Sequence, residues 1–131
     1  MKTKTVRWGI IGTGRIARAF AEGLRHTSNG RLCAIASRNE VSAKAFAEEW
    51  DINHAFGQYE ELAQSDVVDA VYIATPHSSH VENSILCMNN EKAVLCEKPF
   101  AVNSKEVKRM ITTSKENNVL LMEGMWSRFP P

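Results

Sequence analysis

The stretch Val6-Arg7-Trp8-Gly9-Ile10-Ile11-Gly12-Thr13-Gly14-Arg15-Ile16-Ala17 decides the fold. Its first half is apolar and β-branched, the pattern of a buried strand. Its second half reads G-x-G-x-x-A and opens an amphipathic segment, residues 14–25, with Ile16, Phe20 and Leu24 at helical spacing. A glycine pair at a strand-to-helix turn has a physical purpose. Gly12 permits the tight exit from the strand, and Gly14 lets backbone approach a pyrophosphate with no Cβ in the way. Ala17 lets helix and strand pack closely. The helix start then offers unpaired N–H groups and partial positive charge to phosphate. The bare string is weak evidence; the strand before it and the helix after it make it specific.

The rest of the chain repeats this alternation. Strands are expected at 32–36, 54–56, 69–74, 93–96 and 119–122. Helices are expected at 41–50, 59–64 and 79–89, and from Asn103 to about Glu116. Asn39 is placed to cap the second helix. Ser79-His80-Val81-Glu82 fits a capping box at the fourth, and Asn103 and Glu106 have N-cap and N3 spacing at the fifth. Strands alternating with helices indicate βαβ units and a parallel sheet, so the expected class is α/β, a doubly wound Rossmann sheet of about six strands. The domain reading is a dinucleotide-binding unit over 1–122. Residues 123–131, with Trp126 and Phe129, read as the lead into a second domain that is missing, since a chain end is normally polar.

Composition excludes several classes. The 131 residues are 44% hydrophobic and 24% charged, enough for one packed domain. Sixteen Lys and Arg against fifteen Asp and Glu leave a net charge of +1, which argues against a nucleic-acid-binding or acidic-membrane surface. No apolar run nears the roughly 18 residues of a membrane span, and the N-terminal segment is too interrupted for a signal-peptide core. Cys33, Cys87 and Cys96 are odd in number and sit in apolar contexts, so they read as reduced core thiols of a cytoplasmic protein.

The second strand ends in Ala36-Ser37-Arg38-Asn39, where an NAD site would carry a carboxylate for the ribose. Ser37 can donate to a 2′-phosphate, and Arg38 can bind one through paired N–H groups. This favours NADP(H) as cofactor, with NAD(H) as the alternative. Lys44, early in the following helix, is a candidate assistant. Thr75, Pro76 and His77 follow the fourth strand, at the rim where ligands of open parallel sheets lie. His77 and His80 have a metal-pair spacing but no companion ligands, and no metal is expected. Lys98, just past the fifth strand, is placed to exchange a proton with a substrate oxygen.

Gly12 to Ala17, Ala36-Ser37-Arg38, Tyr59-Glu60-Glu61-Leu62, residues 69–76, His80 and Glu97-Lys98-Pro99 together carry a resemblance. In order and spacing they resemble the N-terminal domain of the Gfo/Idh/MocA oxidoreductases (glucose–fructose oxidoreductase and inositol dehydrogenase among them). The stretch from Met122 to Pro130 is similar to the branch of dimeric dihydrodiol dehydrogenases and NADP-dependent xylose dehydrogenases. The resemblance implies a cofactor site of Gly12, Thr13, Gly14, Arg15, Ile16, Ala17, Ser37, Arg38, Thr75, Pro76, His77, His80, Glu97 and Lys98. Within it Glu97 would help fix the nicotinamide ribose, and Lys98 would be the catalytic lysine at the reacting hydroxyl. Trp126 and Arg128 would face substrate. It also implies a second, α+β domain holding most of the substrate pocket.

Two functions therefore compete. One is NADP-dependent hydride transfer to or from a sugar, polyol or dihydrodiol. The other is a truncated module that binds the dinucleotide without turnover. The sheet face that the second domain would cover implies self-association. A DNA-binding or structural role has no motif behind it.

Overall fold

The computed structural model describes residues 5–75, 79–96 and 104–123. Its strands are β1 (Val6–Ile11), β2 (Gly30–Ala36), β3 (His54–Phe56), β4 (Ala70–Ile73), β5 (Ala93–Cys96) and β6 (Leu121–Glu123). The helices between them are α1 (Arg15–Leu24), α2 (Glu40–Trp50), α3 (Tyr59–Ala63), α4 (His80–Asn89) and α5 (Ser104–Asn117). The strands form one sheet in the order β3-β2-β1-β4-β5-β6, and every pairing is parallel. This is the Rossmann order, with the reversal between β1 and β4.

Strand registry explains why consecutive apolar residues of the central strands are buried. Ala55, Ile35, Ile10, Tyr72, Leu95 and Met122 form one row across the sheet. Through Ile10, Ile35, Tyr72 and Leu95 this row packs with Ala17, Phe20 and Ala21 of α1 and Phe46 and Ala47 of α2. The next row, Ile11, Ala36, Ile73 and Cys96, faces the other way. It packs with Leu62 of α3, Val81, Cys87 and Met88 of α4, and Met110 of α5. Side chains alternate faces at every residue, so Ile10 and Ile11, each fully buried, serve different cores. Phe20 stacks on Tyr72 with ring centroids 4.1 Å apart and meets Trp8 edge-on at 5.1 Å, joining α1 to β4 and β1.

Ile16, expected on the apolar face of α1, is 47% exposed, and Ala17, Phe20 and Ala21 are buried instead. Ile16 is turned to a cleft at the start of α1, which it helps to line. Asn39 caps α2 as expected, its Oδ1 accepting from the Val41 and Ser42 amides at 2.8 and 3.2 Å. The capping box at 79–82 does not form. Ser79 has helical dihedrals and makes no side-chain cap, and the Glu82 carboxylate accepts from Arg109 on α5 at 3.2 Å. Asn103 lies outside the described residues.

Three helices end alike. Asp51, Glu91 and Asn118 have left-handed backbones, with φ of 58°, 65° and 53°. Just beyond each, an amide closes back five residues: Ile52 to Ala47, Lys92 to Cys87 and Val119 to Ser114, at 2.8, 3.0 and 3.1 Å. This is the Schellman closure, which satisfies the last carbonyls and turns the chain toward the next strand. It takes Val119, so β6 starts two residues later than the expected 119.

Candidate functional site

A cleft of about 700 Å³ opens at the C-terminal rim of the sheet, beside the β1–β4 split. Three segments line it: Gly12 to Ile16 from the β1–α1 turn, Ser37, Arg38 and Asn39 past β2, and Ala74 and Thr75 past β4. Tyr59, at the start of α3, completes the described wall. Arg15 and Arg38 bring positive charge, and none of these residues is acidic.

The two glycines do different work. Gly12 has φ +109°, and a Cβ there would lie 2.8 Å from the Ala74 carbonyl oxygen. The close approach is held on both sides. Gly12 N–H donates to Ala36 O and Ala74 N–H to Ile11 O, each at 2.9 Å. At Gly14 an added Cβ would meet nothing within 4 Å. The residue faces open cleft, the space a phosphate would take.

The helix starts beside the glycine turn and the end of β2 differ in what their amides can bind. Asn39 already occupies the first amides of α2. At α1 the N-cap is Gly14, which has no side chain to cap with, and the first turn holds no acidic residue. The unpaired amides and the positive end of the dipole at α1 therefore face the cleft uncompensated, an arrangement suited to an anion.

At the end of β2, Ser37 is buried and its Oγ accepts the Asn39 amide at 3.2 Å, leaving its hydroxyl proton to donate. Arg38 is exposed beside it. Lys44 is outside the lining and lies 3.8 Å from Glu40, so the assistance expected of it has no support in the cleft geometry.

Past β4, both oxygens of Thr75 are held by α4. Its carbonyl lies 2.8 Å from His80 Nε2, and its Oγ1 accepts from Asn83 Nδ2 at 3.0 Å. A carbonyl only accepts, so His80 Nε2 carries the proton in this contact. His80 is 1% exposed and does not line the cleft. It stands behind Thr75 as a support, where the sequence had placed it with the cofactor-binding residues. Ala17 is also buried and acts through packing.

Gly12, Thr13, Gly14, Arg15, Ile16, Ser37, Arg38 and Thr75 are thus brought together around one cleft. Pro76, His77, Glu97, Lys98, Trp126 and Arg128 lie outside the described residues. Asn39, Tyr59 and Asn83 were not singled out as site residues. Asn39 had a legible signal, adjacency to Arg38. Asn83 had none, because its partner is eight residues away in sequence.

Known proteins agree with this geometry. The family model described as an oxidoreductase family with an NAD-binding Rossmann fold, Gfo/Idh/MocA, matches residues 6–125. The chain is 45% identical over 126 residues to the scyllo-inositol 2-dehydrogenase (NADP(+)) IolU of Bacillus subtilis. It is 42% identical over 128 residues to the trans-1,2-dihydrobenzene-1,2-diol dehydrogenase of Danio rerio. Each match covers 96% of this chain and 38% of the relative, so the chain spans well under half the length of these curated relatives. Among solved structures, the 3-ketoreductase KijD10 of Actinomadura kijaniata, in complex with TDP-benzene and NADP, superposes with a TM-score of 0.87 at 33% identity. That match covers 92% of this chain and 38% of the other. An open α1 N-terminus behind a two-glycine turn stands at the strand-order reversal of a parallel sheet; with the family model spanning residues 6–125, the chain belongs to the Gfo/Idh/MocA oxidoreductase family as its NAD(P)-binding Rossmann domain.

Proposed function

We propose that this chain holds NADP(H) for an oxidoreductase that acts on a carbinol carbon of a sugar, polyol or dihydrodiol. The observation that carries the cofactor choice is the end of β2. Ser37 and Arg38 line the cleft there, and no described lining residue is a carboxylate that would repel a 2′-phosphate. The pyrophosphate would sit against Gly12 to Ile16, within reach of the open α1 amides. When bound, the cofactor supplies the hydride chemistry. The protein's part is to orient it and move a proton. Thr75, fixed by His80 and Asn83, would border the nicotinamide side with Pro76 and His77. Glu97 would hold the ribose, and Lys98 would exchange the proton of the reacting hydroxyl. Trp126 and Arg128 would face substrate.

The substrate class rests on relatives, a dihydrodiol dehydrogenase and an NADP(+)-dependent inositol dehydrogenase by name. The test is a titration of NADPH and NADH followed by melting temperature, then assays of NADP⁺ reduction with inositol, xylose and a dihydrodiol. Arg38→Ala should weaken NADPH at least tenfold more than NADH; equal loss for both sinks the 2′-phosphate role. Lys98→Ala should keep cofactor affinity and lose turnover; unchanged turnover removes Lys98 from the mechanism.

The second reading is binding without turnover. It stands beside the first because hydride transfer needs a water-poor substrate site, and this chain spans 38% of these relatives' length. Cofactor affinity with no reduction of any of these substrates would select it. The setting we propose is the cytoplasm, in keeping with three buried free cysteines, and no described helix is long and apolar enough to cross a membrane. Self-association through the β6 side belongs to the same proposal, with Leu120 61% and Met122 43% exposed.

A further inference from the structure

The guanidinium of Arg18 joins the phosphate-side turn to α2. Its Nη1 donates to the Thr13 carbonyl at 3.1 Å. Its Nε and Nη2 donate to the two carboxylate oxygens of Glu49 at 3.3 and 3.1 Å. The group also lies over the Phe46 ring, 5.6 Å from its centroid. Arg18 and Glu49 are each about half exposed, but a planar fork held at three points restrains the carbonyl oxygen it grips more than a single contact would.

That atom belongs to the Thr13–Gly14 peptide. In a trans peptide the C=O and N–H point in opposite directions, so holding Thr13 O sets the direction of the Gly14 N–H. Rotating this peptide by half a turn would exchange the two and turn a carbonyl oxygen to where the N–H now points. The rotation would carry Gly14 from its φ of −81° to about +100°, a region that glycine enters freely and other residues do not. The missing Cβ that lets a phosphate approach thus also removes the steric bar to the flip. Arg18 supplies the restraint that the glycine lacks.

We propose that Arg18, braced by Glu49, is a positioning residue for the pyrophosphate. It keeps the Thr13–Gly14 peptide in the one orientation that presents an N–H donor, rather than a carbonyl, to the anion. This rests on the cleft being the dinucleotide site. The effect is local to the pyrophosphate, because the 2′-phosphate side is built from Ser37 and Arg38.

Two ligands separate the contributions in calorimetric titrations of the 131-residue chain. NADPH carries both the 2′-phosphate and the pyrophosphate; adenosine 2′-monophosphate carries only the first. Arg18→Gln should weaken NADPH about tenfold, the loss of one charge-assisted hydrogen bond, and leave adenosine 2′-monophosphate within about twofold. The loss should persist at 0.5 M salt, where a simple charge effect is screened. The Gly14 amide resonance should be sharp in the wild type and broadened by exchange in Arg18→Gln. Glu49→Gln, which keeps the side-chain shape and loosens the brace, should weaken NADPH in the same direction by less. It also serves if Arg18→Gln folds poorly. Equal weakening of both ligands, or no weakening of NADPH in either variant, overturns the proposal. A wild-type chain that binds neither ligand overturns the dinucleotide reading itself, and this inference with it.

Discussion

Alanine at Gly12 and alanine at Gly14 should have opposite consequences. At Gly12 the native φ of +109° strains any side chain, at a cost of roughly 1–3 kcal/mol. The new Cβ also lands 2.8 Å from Ala74 O and 3.0 Å from its carbonyl carbon. Both are backbone atoms tied into the sheet by the Ala74–Ile11 hydrogen bond, so they cannot swing aside as a side chain would. Relieving that overlap adds roughly 1–3 kcal/mol. A total of about 2–6 kcal/mol lowers the melting temperature by roughly 7–20 °C for a domain of this size. At Gly14 the backbone, φ −81° and ψ −163°, suits alanine, and the Cβ meets nothing. The gain of about 0.4–1 kcal/mol from a stiffer unfolded chain is offset by the poorer N-cap, so Tm should move by no more than about 3 °C. Its methyl group, however, occupies the approach to the open amides. NADPH affinity should fall about tenfold or more, one charged-group hydrogen bond being worth roughly 1.5–3 kcal/mol. Differential scanning calorimetry and NADPH titration on both variants check the pair. A Gly12→Ala protein that melts within 2 °C of wild type, or a Gly14→Ala protein with undiminished affinity, refutes the separate roles assigned to the two glycines.

Asn83→Ala removes the amide that holds Thr75 Oγ1 and should cost about 1 kcal/mol, seen as a Tm drop of roughly 4 °C; no drop would mean α4 does not brace the end of β4. Burial pushes the Cys87 thiol up to about 12 from 9.0, with Lys92 opposing the shift. Its contribution to stability is therefore complete below pH 9.0 and is lost as pH rises toward 12, because the unfolded chain releases the proton first. The free energy of unfolding should fall by about 1.4 kcal/mol per pH unit across that window from this group, and Cys87→Ala should flatten the slope; parallel slopes would contradict it. Sedimentation velocity over a concentration series should show association that Met122→Lys reduces, whereas a monomer at all concentrations would dismiss the β6 side as a contact.

Local sequence carried most of the architecture, because strand and helix spacing depend on near neighbours. His54–Phe56 and Ala93–Cys96 fall where short apolar runs between helical stretches place them, and Asn39 caps the helix it precedes. The misreadings are non-local. Glu82 leaves its own helix start for Arg109, 27 residues on, and no pattern in 79–82 reveals that competitor. Ile16 has the right spacing for the core, but the open cleft that it faces is a tertiary fact. Arg7 and Asp69, which pair through two side-chain hydrogen bonds across 62 residues, could be found only in the folded chain. The cleft was legible in its glycines and in Ser37-Arg38, since those residues act through their own backbone or position. Among its supports His80 was named from the sequence, but its pairing with Thr75 was not; Asn83 and the Arg18–Glu49 brace depend on facing elements and were not legible.

The three left-handed helix ends have a practical meaning for altering this protein. Asp51, Glu91 and Asn118 each precede a strand, so they sit at the N-terminal edge of the sheet, while the cleft opens at the opposite edge. None is glycine, and each holds a backbone that glycine adopts without strain. Conformational tension is thus stored at one pole and ligand chemistry is gathered at the other, with the rigid sheet between. Robustness and recognition can then drift independently, so a lineage or an engineer could harden this scaffold by glycine exchange at the quiet pole while leaving its binding pole untouched.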